Sequence, residues 1–220
     1  MKELNQYIDH TLLDPTAKPE DIVGLCDEAK QYNFYAVCVN SCYTYLAANE
    51  LKDSRVKVVT TVGFPLGASS TKAKVSEVKK AIKDGADEID MVMNIGFLKA
   101  GLYKSVREEI SAVKKAVGRR TLKVIIETSM LSNEEKKIAS VISMRAEADY
   151  IKTSTGFGPG GAYLLDMQII KAAIGKNTKI KASGGIKTEA EAMAFIKAGA
   201  ERIGTSSGIK LIYSSKEKQL

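Results

Sequence analysis

The chain has 220 residues, 45% of them apolar and 27% charged, which suits a single globular domain with a sizeable core. It holds no apolar run able to span a bilayer and no apolar N-terminal stretch of the export-signal kind, so the cytoplasm is the expected compartment; three cysteines (Cys26, Cys38, Cys42) and one histidine, His10, argue against a disulfide framework and a zinc site, so no metal is expected. The net charge of +7 does not point to nucleic acid, because the lysines are dispersed among glutamates on helical faces and aromatics are only 6%, too few for a stacking platform.

Apolar residues recur at Ile22, Leu25, Cys26 and Ala29, the one-sided spacing of a helix over 19–32. A buried strand is predicted at 34–39, a short helix over 41–51, and the clearest strand at 56–62, which the glycines and proline of 63–67 break. The next helix presents Val75, Val78 and Ile82 on one face and stops at Gly85. Strand 88–92 precedes a helix marked by Val106, Ile110, Val113 and Val117 and ended by Gly118. Strand 122–126 precedes a helix opened by the capping-box pair Ser132 and Glu135, with Ile138, Val141 and Ile142 inward. Strand 150–152 is followed by a helix through Leu165 and Ile169. Strand 179–182 leads to a helix opened by a second capping box, Thr188 and Glu191, and strand 202–204 leads to a terminal helix near Ser206. With a first strand near 7–9, these form eight evenly spaced strand–helix units without a linker. The expected fold is α/β, a TIM (β/α)8 barrel made by the whole chain, 1–220, as one domain. An open doubly wound sheet is the rival, but no Gly-x-Gly-x-x-Gly follows the first strand, so NAD is set aside.

Chemistry in such a barrel sits at the C-terminal strand ends. Those ends hold Asp9, Cys38 with Asn40, Thr60, Asp90, Asn94, Glu127, Lys152 and Lys181. Charged groups are costly to turn inward without a use. Lys152 ends the sixth strand and is followed at once by Thr153, Ser154, Thr155 and Gly156. An inward amine there is desolvated, and desolvation favours the neutral, nucleophilic form, as does a cationic neighbour. Lys152 is therefore the expected Schiff-base nucleophile. Strand alternation puts Lys181 on the face opposite Ile180, hence in the lumen beside Lys152 if Ile180 packs on helices. Asp90, across the lumen, is placed to shuttle protons or to form a structural ion pair with Lys181, and the two readings are compatible. Two glycine-rich turns, Ser183-Gly184-Gly185 and Gly204-Thr205-Ser206-Ser207-Gly208, follow the seventh and eighth strands, where phosphate binds in this fold. Thr155, Gly156, Gly184, Gly185, Gly204, Ser206, Ser207, Asp9 and Cys38 are the expected substrate and phosphate contacts.

Taken together, Ile8-Asp9-His10-Thr11-Leu12-Leu13, Val37-Cys38-Val39-Asn40, Asp87-Glu88-Ile89-Asp90-Met91-Val92, Lys123-Val124-Ile125-Ile126-Glu127-Thr128, Tyr150-Ile151-Lys152-Thr153-Ser154-Thr155-Gly156-Phe157, Lys181-Ala182-Ser183-Gly184-Gly185 and Gly204-Thr205-Ser206-Ser207-Gly208 resemble the deoxyribose-phosphate aldolase family over nearly the whole chain. The resemblance implies a cofactor-free class I aldolase that cleaves 2-deoxy-D-ribose 5-phosphate to D-glyceraldehyde 3-phosphate and acetaldehyde. It implies Lys152 as nucleophile, Asp90 as proton donor or acceptor, Lys181 as the residue that perturbs Lys152 and joins the relay, and phosphate on Gly184, Gly185, Ser206 and Ser207. The chain departs from the family in three places. Ser41 stands where many relatives have proline, Phe157 where some have lysine, and the last tyrosine is Tyr213, whereas some relatives end in a tyrosine that reaches the site. Cys42, near the end of the second strand, reads as a small buried residue in preference to a thiol exposed to acetaldehyde-derived electrophiles. A homodimer is expected on the general frequency of symmetric oligomers. A different Schiff-base aldolase, a sugar-phosphate isomerase and, least favoured, a basic nucleic-acid-binding module are the alternatives.

Overall fold

The structure is a computed structural model that describes residues 2–216. Eight parallel strands close into a barrel in chain order, the eighth pairing with the first. They are β1 (Ile8–Leu12), β2 (Ala36–Val39), β3 (Lys57–Val62), β4 (Glu88–Val92), β5 (Thr121–Ile125), β6 (Tyr150–Lys152), β7 (Lys179–Ser183) and β8 (Arg202–Thr205). Around them lie α1 (Pro19–Gln31), α2 (Thr44–Glu50), α3 (Thr71–Lys83), α4 (Ile95–Lys99), α5 (Tyr103–Val117), α6 (Asn133–Arg145), α7 (Leu164–Ala173), α8 (Glu189–Lys197) and α9 (Gly208–Lys216). This is the TIM barrel that the strand–helix alternation predicts. Of these, α4 is an addition: a single short turn of helix after β4, capped by the Asn94 side chain, which accepts from Phe97 N–H at 3.0 Å.

Both capping boxes form. Ser132 Oγ accepts from Glu135 N–H at 3.2 Å while the Glu135 carboxylate accepts from Ser132 N–H at 2.7 Å. Thr188 and Glu191 make the same exchange at 3.3 and 3.0 Å. Each box satisfies helix-end donors and starts its helix at a defined residue.

Two helix faces differ from expectation. On α6, Ile142 is buried but Ile138 and Val141 are half-buried, and Ala139, Ser140 and Ser143 pack innermost. The two serine hydroxyls donate to Lys136 O and Ala139 O within the helix, which lets small polar residues face the barrel. On α3, Val78 is buried, Val75 and Ile82 are half-buried, and the innermost residue is Lys74. Its amine donates to Val92 O at 2.8 Å and to Glu109 of α5 at 2.7 Å, tying the end of β4 to both helices. Burial pulls the Lys74 pKa down, against the pull of Glu109.

Strand alternation divides the interior. Ile89, Met91, Leu122, Val124, Ile151, Ile180 and Ile203 point outward into the apolar layer beneath the helices. Burying each such side chain is worth about 1.5–3 kcal/mol. Ala36, Cys38 and Val59 form a separate, small apolar cluster. Other inward positions carry the charged side chains that position the site.

Candidate active site

Strand parity puts Asp9, Glu88, Asp90, Lys123, Lys152, Lys181 and Arg202 in the lumen, all nearly or fully buried. The Asp90 carboxylate is their centre. Its Oδ2 accepts from Lys152 Nζ at 2.8 Å and from Lys181 Nζ at 2.8 Å, and its Oδ1 accepts from Lys123 Nζ at 2.8 Å. Lys152 and Lys181 are direct partners in the β6–β7 register, which brings their amines to the same oxygen. Below them, Lys181 also pairs with Asp9, Lys123 with Glu88 at 2.6 Å, and Arg202 with Asp9 at 2.7 Å and Glu88 at 3.2 Å. The Arg202 guanidinium lies 3.5 Å from the centroid of the Tyr35 ring.

Burial alone would favour the neutral forms of Asp9, Asp90, Lys123 and Lys181, but their partners decide otherwise. Against the burial penalty, the neighbouring Lys123, Lys152 and Lys181 hold the Asp90 carboxyl well below the usual carboxylate range. Asp9 is likewise brought down to about 2, burial being outweighed by Arg202, Lys181 and Lys123. Burial works against the charge on Lys181, yet Asp9 and Asp90 hold its pKa above the ordinary lysine value. Lys123 is raised in the same way by Asp90 and Glu88. The result is a lattice in which the carboxyl groups of Asp9, Glu88 and Asp90 face Lys123, Lys181, Arg202 and the amine of Lys152.

Above the lattice opens a cleft of about 360 Å³. Lys152 reaches its floor. Thr155, Gly156, Gly184, Gly185, Gly204, Ser206 and Ser207, all expected at the substrate, line it together. Gly185 has φ +79 and open space where a Cβ would stand, so its backbone can be approached closely. The first turn of α9 starts beside Ser206 and Ser207, directing helix-end N–H groups toward the same region. Gly204 has a second function in packing: a Cβ there would lie 3.0 Å from Lys181 Cε.

Asp9 and Cys38 are fully buried and, like Asp90 and Lys181, are not among the residues that line the cleft. Asp9 holds Lys181 and Arg202, and Cys38 packs with Ala36, Val59 and Leu13, its thiol pushed up by burial. Cys42, read as buried, is exposed on the helical turn that follows β2. Phe157 stands half-exposed at the cleft rim with its ring edge-to-face on Phe64, centroids 5.4 Å apart. The hydroxyl of Tyr213 bonds that of Tyr32 at 2.8 Å, and residues 217–220 of the C-terminal tail lie outside the described residues.

Glu88, Lys123 and Arg202 were missed from the sequence. The available signal was parity: Glu88 is two residues from Asp90, and Lys123 is flanked by Leu122 and Val124 in an otherwise apolar strand. Lys187, at the cleft rim, was also missed. Among the described residues no cluster of His, Cys, Asp and Glu is arranged to hold a metal ion, and no helix is long and apolar enough to cross a membrane.

Residues 4–213 match the family described as DeoC/LacD family aldolase. A deoxyribose-phosphate aldolase of Coprothermobacter proteolyticus is 54% identical over 210 residues, which cover 96% of each chain. Among solved structures, an aldolase called QR15 superposes with a TM-score of 0.95 at 39% identity, covering 100% of this chain and 98% of that one. The deoxyribose phosphate aldolase of Aeropyrum pernix, described as a tetramer, gives a TM-score of 0.87 at 31% identity, covering 98% of this chain and 92% of that one.

Proposed function

The chain belongs to the DeoC/LacD aldolase family, and from that premise we propose that it is a class I aldolase that reversibly cleaves 2-deoxy-D-ribose 5-phosphate to D-glyceraldehyde 3-phosphate and acetaldehyde through a Schiff base on Lys152. The observation that carries the reading is the Lys152 amine on the cleft floor, sharing Asp90 Oδ2 with Lys181. Lys123, Lys181 and Arg202 already match the three carboxylates, so the pairing does not require a charge on Lys152. An ionised Asp90 at 2.8 Å gives the amine a proton acceptor, and Lys181 keeps a positive charge beside it.

In this reading Lys152 attacks the C1 aldehyde and the carbinolamine loses water to give an iminium. That cation draws in the electrons of the C2–C3 bond as the C3 hydroxyl gives up its proton. Glyceraldehyde 3-phosphate leaves, and the enamine takes a proton at C2 before hydrolysis releases acetaldehyde. Asp90 and Lys181 carry these protons, directly or through water. The phosphate rests on the Gly184–Gly185 turn and on the start of α9 at Ser206 and Ser207, with Thr155, Gly156 and Gly204 completing the wall. The whole chain acts as one catalytic barrel without a cofactor. It works in the cytoplasm as a homodimer. Three free thiols suit a reducing compartment, and self-association is supported by the Aeropyrum pernix relative, which is described as a tetramer.

The test is to incubate the protein with deoxyribose 5-phosphate, add borohydride and map the modified peptide by mass spectrometry. A reduced two-carbon or pentose-phosphate adduct on Lys152 is expected. Folded protein without an adduct on any lysine removes the proposal, and an adduct on Lys181 reverses the roles of the two lysines.

A further inference from the structure

Glu127 is a strand-end carboxylate that these steps leave unused. It follows β5, is 2% exposed, and has φ 50 and ψ 68, left-handed backbone that residues with a Cβ rarely adopt. The neighbours on both sides explain how it is held there. Ile126 N–H donates to Lys152 O at 3.0 Å and Thr128 N–H to Thr153 O at 2.9 Å, so the peptide is pinned to the nucleophile's strand before and after Glu127. Backbone strain of this kind persists where the surroundings enforce it, and it gathers at functional sites.

A buried carboxylate needs partners. Among the described residues, Glu127 Oε2 accepts from Thr155 N–H at 3.1 Å and from the Thr155 hydroxyl, and Oε1 accepts from the Ser129 hydroxyl at 3.5 Å. Thr155 Oγ1 accepts in turn from Phe157 N–H at 3.0 Å. A Cβ at Gly158 would come within 2.9 Å of the Glu127 carboxyl carbon. Residues 155–158 therefore wind around the carboxylate. The same segment supplies Thr155, Gly156 and Phe157 to the cleft wall, and further along it Ala162 N–H donates to Gly184 O at 3.1 Å. One loop thus joins Glu127 to the turn assigned to phosphate.

We infer that Glu127 is a positioning residue: its carboxylate orients Thr155 and so sets the shape of the loop after β6 that receives the phosphorylated end of the substrate. It acts through Thr155 without touching the substrate. The inference rests on the aldolase reading. It makes a specific claim about acceptors: both Thr155 donors converge on one oxygen, so a glutamine carbonyl can replace it and an alanine cannot.

Wild type, Glu127→Gln and Glu127→Ala are compared in two assays, cleavage of deoxyribose 5-phosphate and borohydride trapping of acetaldehyde on Lys152. Glu127→Ala raises KM for the phosphorylated sugar about tenfold or more, in line with the cost of a misplaced positioning loop, while kcat and acetaldehyde trapping stay within about threefold. Glu127→Gln stays within about threefold of wild type in both assays. Gly158→Ala, whose methyl displaces the carboxylate, reproduces the KM effect and serves if Glu127→Ala does not fold. A wild-type KM in Glu127→Ala, or a glutamine variant as impaired as the alanine one, overturns the inference. So does a parallel loss of trapping and cleavage in a folded variant, which would mark a merely structural role. Wild type that forms no adduct overturns the aldolase reading, and the inference with it.

Discussion

Lys152 and Lys181 donate to the same atom, Asp90 Oδ2, each at 2.8 Å. Two amines on adjacent strands are thereby held against one carboxylate oxygen, and only Lys152 reaches the cleft. That relationship separates the amine proposed as nucleophile from a buried amine held between two carboxylates, and its consequences can be measured.

Replacing Lys181 with methionine removes the cation while keeping most of its volume. The expected loss in kcat is about 10²–10⁴-fold, the range for an acid–base group. Asp9 keeps Arg202, so the protein still folds, with a lower Tm. Steady-state kinetics and a thermal melt together check this. Unchanged kcat would confine Lys181 to a structural pairing.

Lys123 never reaches the cleft, yet it holds Asp90 Oδ1 and Glu88. Lys123→Met leaves both buried carboxylates short of a partner, and the expected cost is about 3–5 kcal/mol in urea unfolding. Adding Glu88→Gln should return part of that cost, because the second variant removes one of the orphaned charges. Additive losses in the double mutant would rule out the coupling.

Acid stability follows from Asp9. Its folded pKa of about 2 lies below its ordinary value of 3.8, so its contribution is present above 3.8 and is lost as pH falls toward 2. The shift corresponds to about 2 kcal/mol, and Asp90, depressed in the same direction, adds to it. Unfolding free energy measured between pH 5 and 2 should therefore fall steeply as pH drops. In Asp9→Asn the slope of that fall should be smaller.

Gly204→Ala places a methyl 3.0 Å from both Lys181 Cε and Ser183 Cβ. Overpacking of this kind costs about 1–3 kcal/mol. Because the displaced atom belongs to Lys181, kcat should drop along with Tm. A variant that melts earlier with wild-type kcat would show that Lys181 tolerates the shift.

Much of this was legible in the chain. Both capping boxes, the order of strands and helices, and the glycine turns after β7 and β8 are local signals, carried by spacing and by residue types with few alternative uses. The inward placement of Lys152, Asp90 and Lys181 could be read because strand parity and position at strand ends need only a few consecutive residues. Lys74 shows the limit. Within α3 it looks like any solvated lysine, and only the approach of Val92 O and Glu109 makes its burial tolerable.

The sequence by itself determined the alternation, the number of units, the likeness to an aldolase family and the pair of lysines that carries it. Tertiary structure alone decided which charges share an oxygen. The hydrogen bonds to Asp90 come from residues 33, 62 and 91 positions away, and the one between Lys181 and Asp9 spans 172. Closing the barrel brings β1 beside β8 and turns those separate strands into one lattice. Charge pairing depends on distances of a few ångströms in a medium that screens poorly. No local pattern encodes those distances, so the pairing of Asp9 with Lys181 is decided only by the closed barrel.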